Sequence, residues 1–176
     1  MTAQFREHMA KVPTSVVVAA SLEGGKPIGM VVGTFTSVSL VPPMVGFLGD
    51  LGSSTVPRLV SSGRISFSVL ASDAFPAVTN AFRRPVHERF EDIEWEASST
   101  GLPRVKPAVL HVEGPVIGTA SAGDHQIVRV YPEDIDVGDG ESPLVFWGGR
   151  MMGVGEATAL SNPVWQLGRV NDKTGR

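Results

Sequence analysis

The chain has 176 residues, of which 42% are hydrophobic, and its 15 basic and 18 acidic residues give a formal net charge of −3. This length predicts a single domain over residues 1–176. No apolar stretch approaches the roughly eighteen residues that a membrane-spanning helix needs, and the dispersed charges do not suit nucleic acid. The absence of cysteine excludes disulfides and thiolate chemistry. An amino terminus without signal-peptide features predicts a cytoplasmic protein.

The first part of the chain predicts a helix followed by a β-hairpin. Apolar residues at helical spacing favour a helix over residues 5–11. Residues 14–21 and 27–32 read as two strands joined by the glycine-containing turn at residues 23–26. Residues 29–43 are expected to continue as a strand that is rich in small and hydroxyl-bearing side chains, which suits a flat ligand lying against the backbone.

The remaining elements are expected to be mostly short strands. In residues 64–70, Ile65, Phe67 and Val69 alternate with Ser66 and Ser68, so the two serines should point to the opposite face, where a ligand could reach them. Further strands are predicted at residues 108–120, 126–131 and 143–147, and further helices at residues 53–62 and 73–82. The charged residues 83–107 are expected to form a loop that either has a function or covers the edge of the core. Six or more strands favour a closed or partly closed barrel.

The sequence lacks motifs for covalent catalysis and for metal binding. A nucleophile elbow, a phosphate-binding P-loop and an HExxH pair are all absent. The glycines at 153 and 155 are expected to form a turn before a short helix rather than a dinucleotide site. Asp136, Asp139 and Glu141 predict a solvated loop, so no metal is expected. Hydride transfer between a nicotinamide and a flavin remains, because the cofactors carry that chemistry themselves.

Residues 29–55 offer groups that suit a flavin. Gly29 and Gly33 allow a ring to approach the backbone, and the hydroxyl groups of Thr34 and Ser39 can donate hydrogen bonds to ring heteroatoms. The three hydroxyl-bearing residues at 53–55 begin a predicted helix, where backbone amides bind phosphate. An ordinary helix N-cap explains the same three residues, so both interpretations stay open.

Motifs along most of the chain share the order and spacing of one known family. They are Val12-Pro13-Thr14, Gly29-Met30, Phe35 to Leu40 with Pro42-Pro43, Ser53-Ser54-Thr55, Gly63-Arg64, Phe67 to Leu70, Arg89-Phe90, Gly123-Asp124-His125 and Pro143 to Phe146. Together they resemble the flavin reductase-like, FMN-binding split-barrel family, whose members include the reductase components of two-component flavin monooxygenases. The resemblance covers about residues 5–149 and leaves the tail at 150–176 without an assignment.

The resemblance implies a mainly β split barrel with short helices that forms a homodimer and binds FMN or FAD near the subunit interface. The implied activity is that of an NAD(P)H:flavin oxidoreductase, which transfers hydride from NADH or NADPH to the flavin and supplies reduced flavin to a partner oxygenase. His125 is implied to position the nicotinamide, and Asp124 to fix the turn or to orient His125. The implied cofactor-binding residues are Val32, Gly33, Thr34, Phe35, Ser39, Ser53, Ser54, Thr55, Arg83 and Arg89, and the strand pattern adds Ser68.

Several positions depart from the family pattern. Ser15 replaces a glycine, Val31 a threonine, Leu51 a polar or basic residue, Ser68 an asparagine, and Trp147 an arginine. Alternatives therefore stay open: an enzyme that keeps its flavin and reduces another acceptor, a flavin-binding or electron-carrier protein without a productive nicotinamide site, or a split barrel that binds no flavin. The sequence does not decide between FMN and FAD, or between NADH and NADPH.

Overall fold

The computed structural model describes residues 2–154, which form a mainly β fold with short helices. The α-helices are α1 (Thr2–Met9), α2 (Val56–Ser61) and α3 (Ala77–Ala81), and short 3-10 turns lie at Ser72–Ala74 and Val86–Glu88. The strands are β1 (Thr14–Ser15), β2 (Val17–Glu23), β3 (Lys26–Val32), β4 (Thr36–Leu40), β5 (Pro43–Asp50), β6 (Arg64–Leu70), β7 (Trp95–Ala97), β8 (Pro103–Val105), β9 (Ala108–Ala122), β10 (His125–Val130), β11 (Asp134–Val137), β12 (Leu144–Trp147) and β13 (Arg150–Gly153).

Eight strands form one antiparallel sheet in the order β3-β2-β6-β9-β10-β5-β4, with β11 paired to β9 beside this path. The first half of the 15-residue β9 pairs with β6, and its second half pairs with β10. Because β9 changes partners along its length, the sheet divides into two halves. The mainly β split barrel predicted from the sequence is confirmed, with a sheet that stays open.

The core consists of two hydrophobic clusters on the two faces of β2. Val17 and Ala19 point into one cluster, whereas Val18 and Ala20 point into the other. Burial on both faces explains why β2 is a continuous apolar run rather than an alternating one. The predicted hairpin of β2 and β3 is confirmed, with Glu23 paired to Lys26 at its tip.

The sequence suggested one strand over residues 29–43, but the structure divides this segment. Strand β3 ends at Val32, residues 33–35 form a connection, β4 follows, and a turn at Val41-Pro42 leads into β5. Proline interrupts a strand because it has no N–H group for the ladder of hydrogen bonds. Pro76 likewise divides the helix predicted at residues 73–82 into a 3-10 turn and α3.

The loop predicted at residues 83–107 contains β7 and β8 and covers the edge of the core. Its buried side chains are Phe90, Ile93, Leu102 and Val105. The solvated loop predicted around Asp136 is also wrong in part, because this residue lies on β11 and pairs with Arg104 at 2.7 Å.

No helix within residues 2–154 is long and apolar enough to cross a membrane. The turn and short helix predicted after Gly153 extend beyond the described residues. The single domain over residues 1–176 therefore stays a prediction.

Candidate functional site

Three segments meet at the carboxyl end of β5. On one side, the Thr34 hydroxyl donates to the carbonyl oxygen of Leu48 (3.1 Å), and the Leu48 amide donates back to Thr34 Oγ1 (2.9 Å). On the other side, His125 pairs with Asp50, and the Leu51 amide donates to the Asp124 carbonyl oxygen (3.1 Å). Two strand spacings separate the backbones of Thr34 and His125, which is about 10 Å across the sheet.

The connection at residues 33–35 offers its backbone rather than its side chains. Val32 is buried in the core, and the Phe35 ring packs on Phe67 with their centroids 4.7 Å apart. The Thr34 hydroxyl is already bonded to Leu48. Gly33 is exposed, so a flat ring would contact main-chain atoms here.

The sequence suggested that Gly29 lies open to a ligand, but in the structure this residue is covered. A Cβ atom at this position would be 2.8 Å from the Ala19 carbonyl oxygen and 3.0 Å from Phe90 Cζ. The glycine therefore allows Phe90, and with it the segment that carries Arg89, to pack closely against β3.

Ser68 was predicted to be available to a ligand, and the structure corrects this. The residue is 1% exposed, and its Oγ accepts a hydrogen bond from the Val105 amide (2.9 Å) and lies 3.2 Å from His111 Nδ1. Strand β8 covers this face of β6. Residues 83–107 have little periodicity, so no local pattern predicted that they would cover Ser68.

Two further predicted residues lie apart from the cluster at β5. Ser39 pairs with Met44, four positions along β5 from Leu48, which is about 13 Å along the strand. Arg83 is exposed and makes no ion pair or side-chain hydrogen bond with any part of the chain that the structure describes.

Residues 53–55 form a turn before the six-residue α2. Ser53 Oγ accepts hydrogen bonds from the amides of Thr55 (3.2 Å) and Val56 (3.3 Å), whereas Thr55, the residue at the helix N-cap, makes no side-chain capping hydrogen bond. Thr55 is buried, whereas Ser54 is exposed. Because Ser53 already occupies two of these amides, a phosphate here would depend on another group.

Arg89 supplies a positive charge beside Thr55. Its Nη1 donates to the Gly29 carbonyl oxygen (2.8 Å) and lies 3.4 Å from Thr55 Oγ1, while Nε donates to the Arg84 carbonyl oxygen (3.1 Å). The guanidinium carbon lies 5.9 Å from the centroid of the Phe82 ring. No carboxylate within residues 2–154 pairs with it. Burial, and secondarily the charge of Arg58, lowers the pKa of Arg89.

This support for Arg89 was missed by sequence reasoning. The Gly29 carbonyl lies 60 positions away in the chain, and a backbone acceptor leaves no mark on the sequence. Only the neighbouring Phe82 and Arg84 hinted at a local cluster, because an aromatic residue close to arginines is a common cation–π arrangement.

His125 lies at the start of β10 with its side chain 38% exposed. Its Nδ1 is 2.7 Å from Asp124 Oδ1, and this contact lowers the pKa of Asp124. A carboxylate bonded to one ring nitrogen fixes the orientation of the imidazole. Nε2 has no hydrogen-bond partner among the described residues.

A cavity of about 240 Å³ borders the exposed Gly33 and is lined mainly by apolar side chains, including Val32, Phe146 and Met151. A second cavity, of about 360 Å³, lies beside β8 and β11 and is lined by polar and charged residues that include Arg104, Lys106 and His111. In the described part of the chain, no group of three or more His, Asp or Glu residues is arranged to hold a metal ion.

Among the described residues, the open split barrel carries a guanidinium without a carboxylate partner, at Arg89, and a partly exposed histidine, at His125. A family model described as a flavin reductase like domain matches residues 9–155. A flavin reductase from Pseudomonas putida is 33% identical over 146 residues, covering 82% of this chain and 85% of that protein. The chain therefore belongs to the flavin reductase-like family.

Two further relatives extend the comparison. The FMN reductase (NADH) SmoA from Agrobacterium fabrum is 31% identical over 145 residues, which cover 82% of each protein. BorF, the flavin reductase component of a bacterial two-component tryptophan halogenase, has a solved structure that matches with a TM-score of 0.79. Its sequence is 25% identical, and the match covers 88% of this chain and 98% of that chain.

His111 is buried and belongs to the hydrogen-bond cluster around Ser68. The Val105 amide donates to Ser68 Oγ, and His111 Nδ1 lies 3.2 Å from the same oxygen, where the tautomer of the ring decides which atom donates. Burial, followed by the charge of Arg104, lowers the pKa of His111. The other charged groups that line its cavity are Glu96, Lys106, Asp136 and Asp139.

This burial predicts a pH-dependent stability. Below the ordinary histidine pKa of 6.5 the unfolded chain takes up a proton that the folded protein does not, so the free energy of unfolding falls as the pH falls from 6.5 towards the lower folded-state pKa. The slope is at most about 1.4 kcal/mol per pH unit. Denaturant unfolding between about pH 5 and 8 measures it. His111→Gln, which keeps an acceptor but does not titrate, should reduce the slope, whereas the exposed control His8→Gln should retain it; equal slopes in the two variants would contradict the assignment.

Proposed function

We propose that this chain is an NAD(P)H:flavin oxidoreductase that transfers a hydride from reduced nicotinamide to FMN or FAD. Bound flavin supplies the hydride acceptor and the nicotinamide supplies the hydride, so the protein has to bind and orient them. The observation that carries the proposal is the guanidinium of Arg89 beside Thr55, which within residues 2–154 is bound only by neutral groups. Membership of the flavin reductase-like family supports the same activity.

In this proposal, the flavin phosphate binds to Arg89, with Thr55 and the exposed Ser54 as neighbours. A partly buried guanidinium without a counter-charge favours an anion, and charge-assisted hydrogen bonds are stronger than neutral ones. The ring of the flavin would then lie against the backbone of Gly33 and Thr34. Val32 and Phe35 support that backbone from the core, and Ser39 lies too far along β4 to be essential.

His125 is proposed to position the nicotinamide. Asp124 Oδ1 holds Nδ1 at 2.7 Å, which leaves Nε2 to donate to or accept from a second ligand. Both residues lie beside Asp50 and Leu51 at the carboxyl end of β5. They are on one side of this strand, and the connection that would hold the ring is on the other side. The histidine would orient the nicotinamide, and it would form no covalent bond.

We further propose that the chain is a homodimer and supplies reduced flavin to a partner oxygenase. Exposed apolar side chains on β4, β5 and β9 support an interface, because burial of apolar surface stabilises association. They are Val38 (37% exposed), Leu40 (55%), Leu48 (39%) and Ile117 (45%). The role of BorF as the flavin reductase component of a two-component tryptophan halogenase supports a partner enzyme that receives the reduced flavin. A cytoplasmic location stays a prediction.

The activity can be tested with the purified protein. Added FMN or FAD should bind, measured by quenching of flavin fluorescence, and should make oxidation of NADH or NADPH depend on flavin, measured by the loss of nicotinamide absorbance. Flavin that binds without any nicotinamide being consumed would instead favour an electron carrier. Flavin that neither binds nor accelerates oxidation would contradict the proposal.

Replacement of His125 tests its assigned role. His125→Ala should lower kcat/KM for the nicotinamide by about ten- to a hundredfold, because loss of orientation alone can slow a reaction by that much. The dissociation constant for flavin should change little. Asp124→Asn should give a smaller decrease, since it weakens the orientation of the ring without removing it. A variant that loses flavin binding but keeps its nicotinamide kinetics would show the opposite pattern and remove His125 from this role.

Replacement of Arg89 tests the phosphate site. Arg89→Gln should weaken FMN binding by about ten- to a hundredfold, as expected for a hydrogen bond to a charged group. Binding of riboflavin, which has no phosphate, should stay nearly unchanged. Isothermal titration of both ligands measures the difference. Arg64→Gln removes an exposed guanidinium elsewhere and serves as the control. Equal losses for FMN and riboflavin would mean that Arg89 supports the fold and does not bind phosphate.

A further inference from the structure

A second guanidinium lies one helical turn beyond the proposed phosphate site. Arg58 is the third residue after Thr55, and residues three apart on a helix have Cβ atoms about 5–6 Å from each other. Its Nε donates to Glu23 Oε1 (2.9 Å), and Nη2 contacts the other carboxylate oxygen. The two side chains are 24% and 48% exposed, so the pair is within reach of a ligand.

Contacts with the β2–β3 hairpin show where the guanidinium groups of Arg58 and Arg89 lie relative to each other. Thr55 lies near Arg89, which is bonded to Gly29 on β3. Arg58 is bonded to Glu23 at the hairpin tip, where Glu23 pairs with Lys26. Gly29 and Lys26 are three residues apart, about 10 Å along the strand. The positive charge of Arg58 also contributes to the lowered pKa of Arg89, as expected of close neighbours.

The two guanidinium groups differ in what binds them. Arg89 has only neutral partners among the described residues, so its charge is available to a phosphate. Arg58 is neutralised by a carboxylate that is itself half-exposed. A phosphate monoester at Arg89 would lie on the order of one Debye length from Glu23, so at physiological salt the repulsion between the two anions is partly screened. A second phosphate extending towards Arg58 would meet the Glu23 carboxylate directly.

We propose that the Glu23–Arg58 ion pair makes the site selective for FMN over FAD. FMN ends in the one phosphate that Arg89 binds, whereas the diphosphate of FAD has to compete with Glu23 for Arg58. This inference rests on the proposed function, because it uses the flavin phosphate site at Arg89.

The test compares the dissociation constants of riboflavin, FMN and FAD for the full chain and its variants. The unchanged protein should bind FMN more tightly than FAD. Glu23→Gln should raise the affinity for FAD relative to FMN by about two- to fivefold, the size expected of one exposed charge interaction. Arg58→Gln should shift the ratio the other way, because it leaves Glu23 unpaired beside the second phosphate. Glu133→Gln breaks the comparably exposed pair with Arg64 and should leave the ratio unchanged.

The outcomes separate the two proposals. A protein that binds none of the three flavins would contradict the proposed function itself. If FMN binds but the FAD to FMN ratio stays the same in Glu23→Gln and Arg58→Gln, or shifts equally in Glu133→Gln, the inference is wrong. Tighter binding of FAD than of FMN by the unchanged protein would also overturn it. Thermal unfolding of each variant confirms that the ratios come from folded protein, and riboflavin affinity should stay constant throughout.

Discussion

The pairing of β9 with three different strands positions the strand that carries the histidine of the candidate site. Its first half joins β6 and β11, and its second half joins β10, whose first residue is His125. The change of partner requires the chain to pass close to its neighbours. A Cβ atom at Gly114 would lie 1.9 Å from the Tyr131 carbonyl oxygen, and Gly118 has a φ of +141° that side chains disfavour. A larger residue at Gly114 would clash with the backbone of Tyr131, which directly follows β10, the strand that carries His125.

The distribution of counter-charges separates Arg104, which stabilises the fold, from Arg89, which is proposed to bind a ligand. Arg104 is surrounded by Asp134 (2.8 Å), Asp136 (2.7 Å) and Glu113 (3.4 Å), and it links β8 to β9 and β11. Removing Arg104 would leave the buried Glu113 carboxylate without its counter-charge, so the network holds the fold together. The larger cavity beside it is therefore best explained as part of this network, despite its size. Arg89, held by carbonyl oxygens, keeps its charge for an external anion.

Local patterns predicted the elements whose environment is local. The β2–β3 hairpin followed from two apolar runs around a glycine turn, and β6 followed from its alternation. The orientation of Ser68 also followed, but the strand that covers it lies 37 positions later in the chain. Period-two alternation separates the two faces of a strand without showing what lies on either face. The resemblance to a family indicated Arg89, whereas its acceptors are backbone atoms that no side-chain pattern encodes.

The departures from the family pattern leave few side chains to contact the flavin ring. In the proposed site, selectivity among flavins would therefore depend on the charges around the flavin phosphate. Trp147, in place of an arginine, donates from Nε1 to the Lys11 carbonyl oxygen (2.8 Å), and the Gly148 amide donates to Ala10 (2.9 Å). The indole therefore ties the β12–β13 turn to the end of α1, and the position supplies no cation. In the proposed site, the rings of all flavins would contact the same backbone atoms. Discrimination among flavins therefore has to come from groups that only some flavins reach, and we propose the ion pair of Arg58 and Glu23 as such a group.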